Sequence, residues 1–411
     1  METIFVQIAS YRDSELIPTV LDCISKAKYP QRIYLGICVQ YDPIKDELED
    51  LLFIHPNIKV KMIHYKNSKG ACWARNIAQS LYGNETFSYQ IDSHMRFIKD
   101  WDEHIIELWK TVKDEKAIFT GYPGKYDPNT PESEWELGNP TICGVKRILN
   151  NKFKQRGEYF EPTLNRPLRG VTISAANTFG PGSIITDVPY DPYLYFDGEE
   201  MTMALRYFTH GYNIYHPHKV FSYHYWTRES SPRHWSEHKD WGTYENISKE
   251  RIASLIGNGD TDLGEYGLGT VRTLKEYEQY AGIDFGKNLV HIFRVDAVEP
   301  PTDYSEEGWD YVKYMKKIEI NLQWNIDNLS KYTDINYWYL RIYDQDDYAL
   351  HSFHITKEEH QNIIKLKRKK IYVEFEYNSK ISEVKYFTIN QYNFKTNSWY
   401  GDKKFNINQT N

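Results

Sequence analysis

Apolar positions along the first 90 residues change repeatedly between two spacings, and each change marks a new element. Short apolar runs typical of strands cover residues 3–9, 33–39, 58–64 and 86–91. The second run is apolar almost throughout, as in a strand that is buried on both faces. Between the runs, apolar positions three or four apart predict helices that begin after residue 13 and after residue 70. This alternation predicts an α/β domain with a mostly parallel central sheet.

Polar clusters follow three of the predicted strands, at residues 10–13, 40–42 and 92–96. In parallel sheets, ligands collect where the carboxyl ends of the strands meet. Lys69 and Gly70 precede a predicted helix whose free N–H groups favour an anion, and Arg75 lies on its second turn. We therefore expect a nucleotide diphosphate at this edge. The glycines form neither a P-loop nor a Gly-x-Gly-x-x-Gly pattern, which argues against P-loop nucleotidases and dinucleotide enzymes.

Asp92 and His94 lie two positions apart at the end of a predicted strand, so their side chains point to the same side. A carboxylate oxygen and an imidazole nitrogen aimed at one point can bind a divalent cation. His224, at the end of a predicted strand over 216–226, would add a third metal ligand. Each residue also has an ordinary interpretation, as a solvated strand end or a structural histidine.

Asp197, Glu199 and Glu200 follow an aromatic Pro-Tyr loop and open a predicted helix. Carboxylates in a first helical turn interact favourably with the helix dipole, so capping alone could explain Glu199 and Glu200. Three acids beside such a loop are more than capping needs, and they are our candidate catalytic residues.

The rest of the chain divides into segments of different pattern. Residues 121–169 are rich in Pro, Asn, Gly and charge, and predict either a lid or wall on the acceptor side or a solvated insertion. Residues 234–290 look helical, and 296–312, with adjacent prolines, predict a linker. Short alternating runs over 313–411 predict a β-sandwich. The expected domains are thus a catalytic domain over 1–295 and an accessory domain over 313–411.

Composition narrows the classes of function. The net charge is −7 and there is no long basic block, which argues against a nucleic-acid partner. The aromatic share is 16%, with 35 Tyr and 11 Trp; these side chains often line sugar or base sites, although codon bias explains the excess equally well. In the C-terminal region they could bind glycan, bind a sister subunit in a homo-oligomer, or form the sandwich core.

Cysteine usage and hydropathy bear on the compartment. Cys23, Cys38 and Cys72 lie in apolar or helical contexts without metal-ligand spacing, which predicts buried thiols in a reducing compartment. The chain has no run of 18 apolar residues and begins directly with a predicted strand. We expect a soluble, cytoplasmic protein without a transmembrane segment.

An ordered set of motifs points to a known family. They are Ala-Ser-Tyr-Arg-Asp at 9–13, Lys-Gly-x-x-x-Ala-Arg at 69–75, Gln-Ile-Asp-x-His-x-Arg-Phe at 90–97, Asp-Gly-Glu-Glu at 197–200, Tyr-His at 223–224 and Thr-Leu-x-x-Tyr-x-x-Tyr-x-Gly-Ile-Asp-Phe at 273–285. The set resembles the GT-A nucleotide-sugar glycosyltransferases. Among them it is most similar to the retaining polypeptide α-N-acetylglucosaminyltransferases, a family that includes eukaryotic enzymes that modify a hydroxyproline. The resemblance covers roughly residues 1–290 and leaves out the C-terminal region.

The resemblance implies a GT-A domain that binds UDP-GlcNAc with Mn²⁺ or Mg²⁺. It implies that Asp92 and His94 form the family's Asp-x-His motif and that His224 is its distal metal ligand. By the same comparison, positions around the uridine are matched by Ser10, Arg12 and Asp42, and a position near the diphosphate by Arg75. Asp197, Glu199 and Glu200 fall where related transferases place the carboxylate that orients the donor sugar and the acceptor. Glu200 replaces the Asp of many GT-A enzymes.

The function implied is transfer of a sugar, GlcNAc rather than GalNAc or glucose, to a hydroxyl of a protein or glycan with retention of configuration. The leaving phosphate would accept the acceptor's proton; a double displacement through Asp197, Glu199 or Glu200 is the competing route. Two other classes stay open: an inverting polysaccharide synthase with Glu199 or Glu200 as general base, and a non-catalytic carbohydrate-binding protein.

Overall fold

The computed structural model describes residues 1–46, 48, 54–160, 164–228, 231–291, 299–300, 313–321, 337–344, 347, 349–365, 370–378, 384–393 and 398–406. The chain divides into two compact units, Met1–Trp309 and Asp310–Asn411. Most of the predicted linker lies outside the described residues, and the predicted boundaries at 295 and 313 stay a prediction.

The first unit is built from many short strands and eight α-helices among its described residues. The strands are β1 (Ile4–Tyr11), β2 (Ile33–Tyr41), β3 (Ile58–His64), β4 (Phe87–Asp92), β5 (Met95–Phe97), β6 (Ala117–Thr120), β7 (Gly124–Lys125), β8 (Thr141–Leu149), β9 (Lys152–Tyr159), β10 (Leu168–Arg169), β11 (Asn177–Pro181), β12 (Asn213–His216), β13 (Ser222–His224), β14 (Ile283–Asp284) and β15 (Leu289–Val290). The helices are α1 (Leu16–Ser25), α2 (Ala71–Gln79), α3 (Trp101–Thr111), α4 (Ile184–Asp187), α5 (Glu199–Thr209), α6 (His234–Glu237), α7 (Trp241–Leu255) and α8 (Leu274–Ala281).

A central sheet of eight strands has the spatial order β10, β12, β6, β11, β4, β1, β2, β3. Parallel pairs join β1 to β2 and β4, β2 to β3, and β6 to β12. β11 is antiparallel to both of its neighbours, and β10 is antiparallel to β12. The α/β class and its large central sheet are therefore confirmed, with β10 and β11 as the departures from parallel order.

Helices pack on both faces of the central sheet and fix the strand ends at which the candidate site lies. On one face of β1, Ile4, Val6 and Ile8 pack in the same apolar core as α1 and α3. In that core the buried indole N–H of Trp101 donates to the carbonyl of Cys23 at 2.8 Å, which satisfies its polar group. On the opposite face, α2 packs against β2 through its alanines. Burial of both faces explains why these strands are nearly continuous apolar runs.

Three predicted segments differ from the structure. Of the expected strand over 216–226, only β13 and the last residue of β12 are strand, and these two strands belong to different sheets. Residues 121–169 contain the antiparallel hairpin β8–β9 and two short strands, so they are more ordered than a long loop. Residues 234–290 are helical only in α6, α7 and α8, because turns and a 3-10 turn occupy 256–273.

The second unit contains a region of small sheets. Its described elements are β16 (Lys313–Asn321), β17 (Tyr337–Asp344), β18 (Ala349–Ile355), α9 (Lys357–Lys365), β19 (Lys370–Asn378), β20 (Val384–Asn393) and β21 (Ser398–Asn406). β16 pairs with β19, and the other four strands form a sheet in the order β18, β17, β20, β21. The buried Trp338 is a core side chain, as one of the three interpretations of the C-terminal aromatic residues requires. Packing as a sandwich stays a prediction.

The cysteine side chains predicted to be buried thiols are buried in the structure. Cys23, Cys38, Cys72 and Cys143 are all buried and form no disulfide. Every helix in the described part of the chain is too short or too polar to cross a membrane.

Candidate active site

A cleft of about 360 Å³ lies at the carboxyl ends of β1 and β4. Asp92 at the end of β4 and Tyr11 at the end of β1 line its floor, together with His94 and His224. The position is the one expected for a ligand site in a sheet of parallel strands.

Asp92, His94 and His224 form a cluster with the geometry of a metal site. Each residue offers one ligand atom, and the three atoms lie within 4.8 Å of one another. Nε2 of His224 is 3.2 Å from Oδ2 of Asp92, and Nε2 of His94 is 3.7 Å from the same oxygen. Both histidines are buried, whereas 26% of the Asp92 side chain stays accessible from the cleft.

Strand pairing explains how residues far apart in sequence meet. After β4 the chain turns at Ser93 and His94 and continues as β5, which pairs antiparallel with β13. In this register His224 lies opposite Met95, and the backbone N–H of Tyr225 donates to the carbonyl of His94 at 3.1 Å. The imidazole rings are consequently 4.6 Å apart.

Asp13 orients His94 by contacting the ring nitrogen that faces away from the cleft. The sequence pattern assigns Asp13 no role of its own. Its fully buried carboxylate contacts Nδ1 of His94 at 2.7 Å through Oδ2 and the hydroxyl of Ser231 at 2.9 Å through Oδ1. Burial alone would raise the pKa of Asp13, but the hydrogen bond and charge of His94, with the charge of Arg228, lower it. Because Nδ1 of His94 is engaged, Nε2 is left to face the cleft.

Arg75 orients Asp92 from the other side. Its side chain, on α2, is buried between two carboxylates: Nη2 donates to Oδ1 of Asp92 at 2.8 Å, and Nε lies 2.7 Å from Oε1 of Glu199. Burial opposes the ionisation of Asp92, yet His224, Arg75 and His94 hold its pKa well below the usual value. One oxygen of Asp92 is thus bound to Arg75, and the other faces the two histidines.

The donor set fits a divalent cation. One carboxylate and two imidazoles leave further coordination positions open toward the cleft, as a substrate-binding metal requires. Two nitrogen ligands suit Mn²⁺ better than Mg²⁺, which prefers oxygen. The contact between Asp13 and His94 is the carboxylate–histidine pair that commonly supports a metal ligand.

Most of the first unit matches a known protein family. The family model described as Glycosyltransferase (GlcNAc) matches residues 3–51 and 42–287. These matches contain every residue that lines the cleft. The chain belongs to the Glycosyltransferase (GlcNAc) family. It is therefore a glycosyltransferase by family, and the region after 287 lies outside the match.

Solved structures were also compared with this glycosyltransferase. A crystal structure of GalNAc-T7 with UDP, GalNAc and Mn²⁺ is 14% identical over 68% of this chain, with a TM-score of 0.47; the chain spans about half, 54%, of GalNAc-T7. S. aureus TarS 1-349 in complex with UDP-GlcNAc is 13% identical over 64% of this chain and 68% of TarS, with a TM-score of 0.40. No curated protein matches the sequence.

The three candidate acids lie at different depths of the glycosyltransferase cleft. Glu199 is buried against Arg75, and burial raises its pKa. Glu200 accepts a hydrogen bond from the backbone N–H of Ala175 at 3.1 Å, and burial raises its pKa to about 7. Asp197 is exposed at the mouth of the cleft, where Nζ of Lys152 donates to it at 3.1 Å. The structure thus brings all three to the cleft but gives them unequal environments.

Ser10 and Arg12 line a second cavity of about 440 Å³, and Gln40 lines both this cavity and the cleft. Arg12 has a left-handed backbone (φ 46°), and its guanidinium is surrounded by the carboxylates of Asp42, Asp46 and Glu237. Lys69 is exposed and outside the lining of both cavities, so its expected contact with a diphosphate stays a prediction.

The segment after β13 contributes cleft residues that sequence reasoning misses. Trp226, Arg228, Arg233, His234 and Trp235 all line the cleft. Their stretch has neither helical nor strand periodicity, and its high content of Trp, Arg and His is the signal that could have indicated a site.

Proposed function

We propose that this protein is a metal-dependent glycosyltransferase that moves a sugar, preferentially GlcNAc, from UDP-GlcNAc to a hydroxyl group of a protein or glycan. The cluster of Asp92, His94 and His224 at the end of β4, inside the matched family region, carries this proposal. When bound there, a divalent cation would stabilise the negative charge that develops on the leaving diphosphate.

Buried residues that contact the cluster fix its donor atoms in position to bind a metal. Arg75 fixes one oxygen of Asp92, and Asp13 fixes one nitrogen of His94. Both contacts come from buried side chains, so the remaining donor atoms are held toward the cleft before any ligand arrives. Such preorganisation lowers the cost of rearrangement on binding.

Arg228 and Arg233 suit the diphosphate itself. Both line the cleft, and burial together with the charge of Arg228 lowers the pKa of Arg233. A guanidinium group whose charge is disfavoured by a neighbouring guanidinium group is stabilised by an anion that contacts both. We therefore assign the diphosphate to the part of the cleft between these arginines and Asp92.

The cavity beside the cleft suits the nucleobase. Arg12 is already surrounded by three carboxylates, so it fits an uncharged ring better than a further phosphate. Gln40 lines both cavities, so the two cavities lie next to each other. We place the uracil ring there, near Ser10 and Asp42.

The transfer proposed proceeds with retention, as the family resemblance implies. The bond between the anomeric carbon and the diphosphate oxygen breaks, and the acceptor oxygen bonds to the same face of that carbon. The acceptor's proton passes to the leaving phosphate oxygen. Asp197, Glu199 and Glu200 then orient donor and acceptor rather than form a covalent intermediate.

One observation favours an inverting reaction as a second candidate. A carboxyl group with a pKa of about 7 is matched to general-base catalysis near neutral pH, and Glu200 has this property. In that case Glu200 would accept the proton of an acceptor that attacks from the opposite face. The NMR coupling constant of the anomeric proton in the product decides between the two reactions.

Release of UDP from a panel of UDP-sugars, with Mn²⁺ and with EDTA, tests the proposed function. We expect turnover of UDP-GlcNAc above that of UDP-GalNAc and UDP-glucose, and its loss in EDTA. Asp92→Asn should lower the rate by about 100-fold or more, because it removes the charged ligand. Asp260→Asn, at an exposed carboxylate outside both cavities, is the matched control. Metal-independent turnover, or full activity in Asp92→Asn, would contradict the proposal.

A further inference from the structure

A patch of exposed aromatic side chains lies beside the mouth of the cleft. We call Phe196, Trp235 and Trp241 the aromatic patch; they are 51%, 44% and 41% exposed. The rings of Phe196 and Trp235 are 5.6 Å apart, and the ring of Trp241 lies 6.3 Å from that of Tyr195 and stacks on it. Large aromatic side chains held together at a surface commonly mark a binding site.

The aromatic patch lines a cavity of its own that continues into the cleft. This cavity has a volume of about 370 Å³, within the range of ligand pockets. Its lining shares four residues with the cleft: Tyr195, Phe196, Asp197 and Trp235. A molecule bound on the patch would therefore extend into the mouth of the cleft, on the side of Asp197.

Polar groups of both signs accompany the aromatic rings. Nζ of Lys152, which is buried, contacts Asp197 at 3.1 Å and Glu245 at 2.8 Å. Glu245 and the exposed Lys249 line the same cavity as the patch. Carboxylate oxygens that accept hydrogen bonds thus lie beside ammonium groups that donate them.

Aromatic rings beside both carboxylates and ammonium groups favour a sugar over other ligands. A sugar ring has an apolar face that packs on an aromatic ring, and hydroxyl groups that both donate and accept hydrogen bonds. Single-stranded nucleic acid also stacks on aromatic rings, but it requires a basic groove, and this cavity contains two carboxylates. A proline-rich peptide also docks on aromatic grooves, but its rings have no hydroxyl groups to bond the carboxylates and ammonium groups beside the patch.

We propose that the aromatic patch binds the sugar rings of an oligosaccharide acceptor and presents its terminal hydroxyl group to the cleft. The inference rests on the proposed transferase function and specifies its acceptor as a glycan. Asp197 then belongs to acceptor recognition through its contact with Lys152, which explains why it is exposed while Glu199 and Glu200 lie inside.

Saturation-transfer NMR on the full chain, with UDP and Mn²⁺ present, tests this inference. The probes are trisaccharides of glucose, N-acetylglucosamine, galactose and mannose, with decaproline as the peptide alternative. We expect at least one trisaccharide to bind, and Trp241→Ala to weaken its binding about tenfold or more. Tyr193→Ala is the matched control, because Tyr193 is 59% exposed, close in sequence, and outside the lining of both cavities.

UDP binding measured in the same samples distinguishes failure of the acceptor inference from failure of the transferase proposal. If UDP binds with Mn²⁺ but no trisaccharide binds, the acceptor inference is wrong while the transferase proposal stands. Binding of decaproline instead of sugars, or sugar binding that survives in Trp241→Ala, also overturns the inference. Failure of UDP to bind would contradict the transferase proposal itself.

Discussion

At the scale of the residue, a buried carboxylate decides how a histidine faces the cleft. Asp13 contacts Nδ1 of His94 at 2.7 Å, and Asp13→Asn removes the charge of this contact while keeping the size of the side chain. We expect Mn²⁺ affinity, measured by calorimetry, to fall by about 10- to 100-fold, as for other carboxylates that support metal-binding histidines.

The exposed Asp260→Asn variant serves again as the control and should bind Mn²⁺ like the unaltered protein. Because Asp13 also pairs with Arg228 at 3.2 Å, near-ultraviolet circular dichroism must first show that Asp13→Asn is folded. Unchanged affinity in a folded Asp13→Asn variant would mean that the charge of Asp13 does not support metal binding by His94.

The raised pKa of Glu200 leads us to expect that the stability of the protein depends on pH. Its pKa in the folded, metal-free protein is about 7, above the ordinary value of 4.5, so the folded state binds this proton more tightly than the unfolded state. The stabilisation is complete below pH 4.5 and is lost as the pH rises to 7. Glu200→Gln has no such proton and keeps the oxygen that accepts from Ala175.

The free energy of unfolding of Glu200→Gln relative to the unaltered protein should therefore increase by up to about 3 kcal/mol between pH 4.5 and 7. Urea denaturation in EDTA at several pH values measures it. A difference that is constant over this range would show that the pKa of Glu200 is not raised.

Sequence reasoning predicts the residues whose spacing is local. Asp92 and His94 share one short motif, and the structure brings them together with His224. Asp13 and Arg233 contribute through contacts set by chain segments that have no periodic pattern, so a single sequence does not reveal them. The expected contact of Lys69 with a diphosphate stays a prediction: a helix start favours anions, but its side chain is exposed and lines neither cavity.

At the scale of the element, α3 stabilises the strands that carry the site. Trp101 is fully buried against Tyr89 of β4, with ring centroids 5.5 Å apart. Trp101→Ala should lower the free energy of unfolding by about 3–5 kcal/mol, because it leaves a large cavity and an unpaired carbonyl at Cys23. Urea denaturation measures the loss.

Val271→Ala, at a position that is 65% exposed, should change the same free energy by less than about 0.5 kcal/mol. A loss in Trp101→Ala as small as this control's would mean that α3 does not pack on β4 as described.

Elements with strong hydrophobic periodicity are predictable here, and those defined by long-range pairing are not. The helices predicted to begin after residues 13 and 70 are confirmed as α1 and α2, and the buried strands as β1 and β2. Much of β9 is charged, and the hairpin β8–β9 lies in a segment rich in Pro, Asn, Gly and charge, so the composition resembles that of a loop. The expected strand over 216–226 is mostly limited to β13, because β13 is defined by its pairing with β5, which the local sequence does not specify.

At the scale of the whole molecule, the candidate site belongs entirely to the first unit. The family match ends at residue 287, inside Met1–Trp309, and all residues that line the cleft precede it. The strand content of the second unit is predictable from its alternating pattern, with α9 as an addition. A role for its aromatic side chains in self-association or glycan binding stays a prediction.

The affinity for UDP with and without Mn²⁺, measured by calorimetry, is the most direct test of the metal-dependent donor site. If Asp92, His94 and His224 bind the metal together with the diphosphate, Mn²⁺ should tighten UDP binding by at least about tenfold, and His94→Ala and His224→Ala should each abolish this gain. UDP binding that is equally tight in EDTA, or a gain that both variants retain, would contradict the assignment.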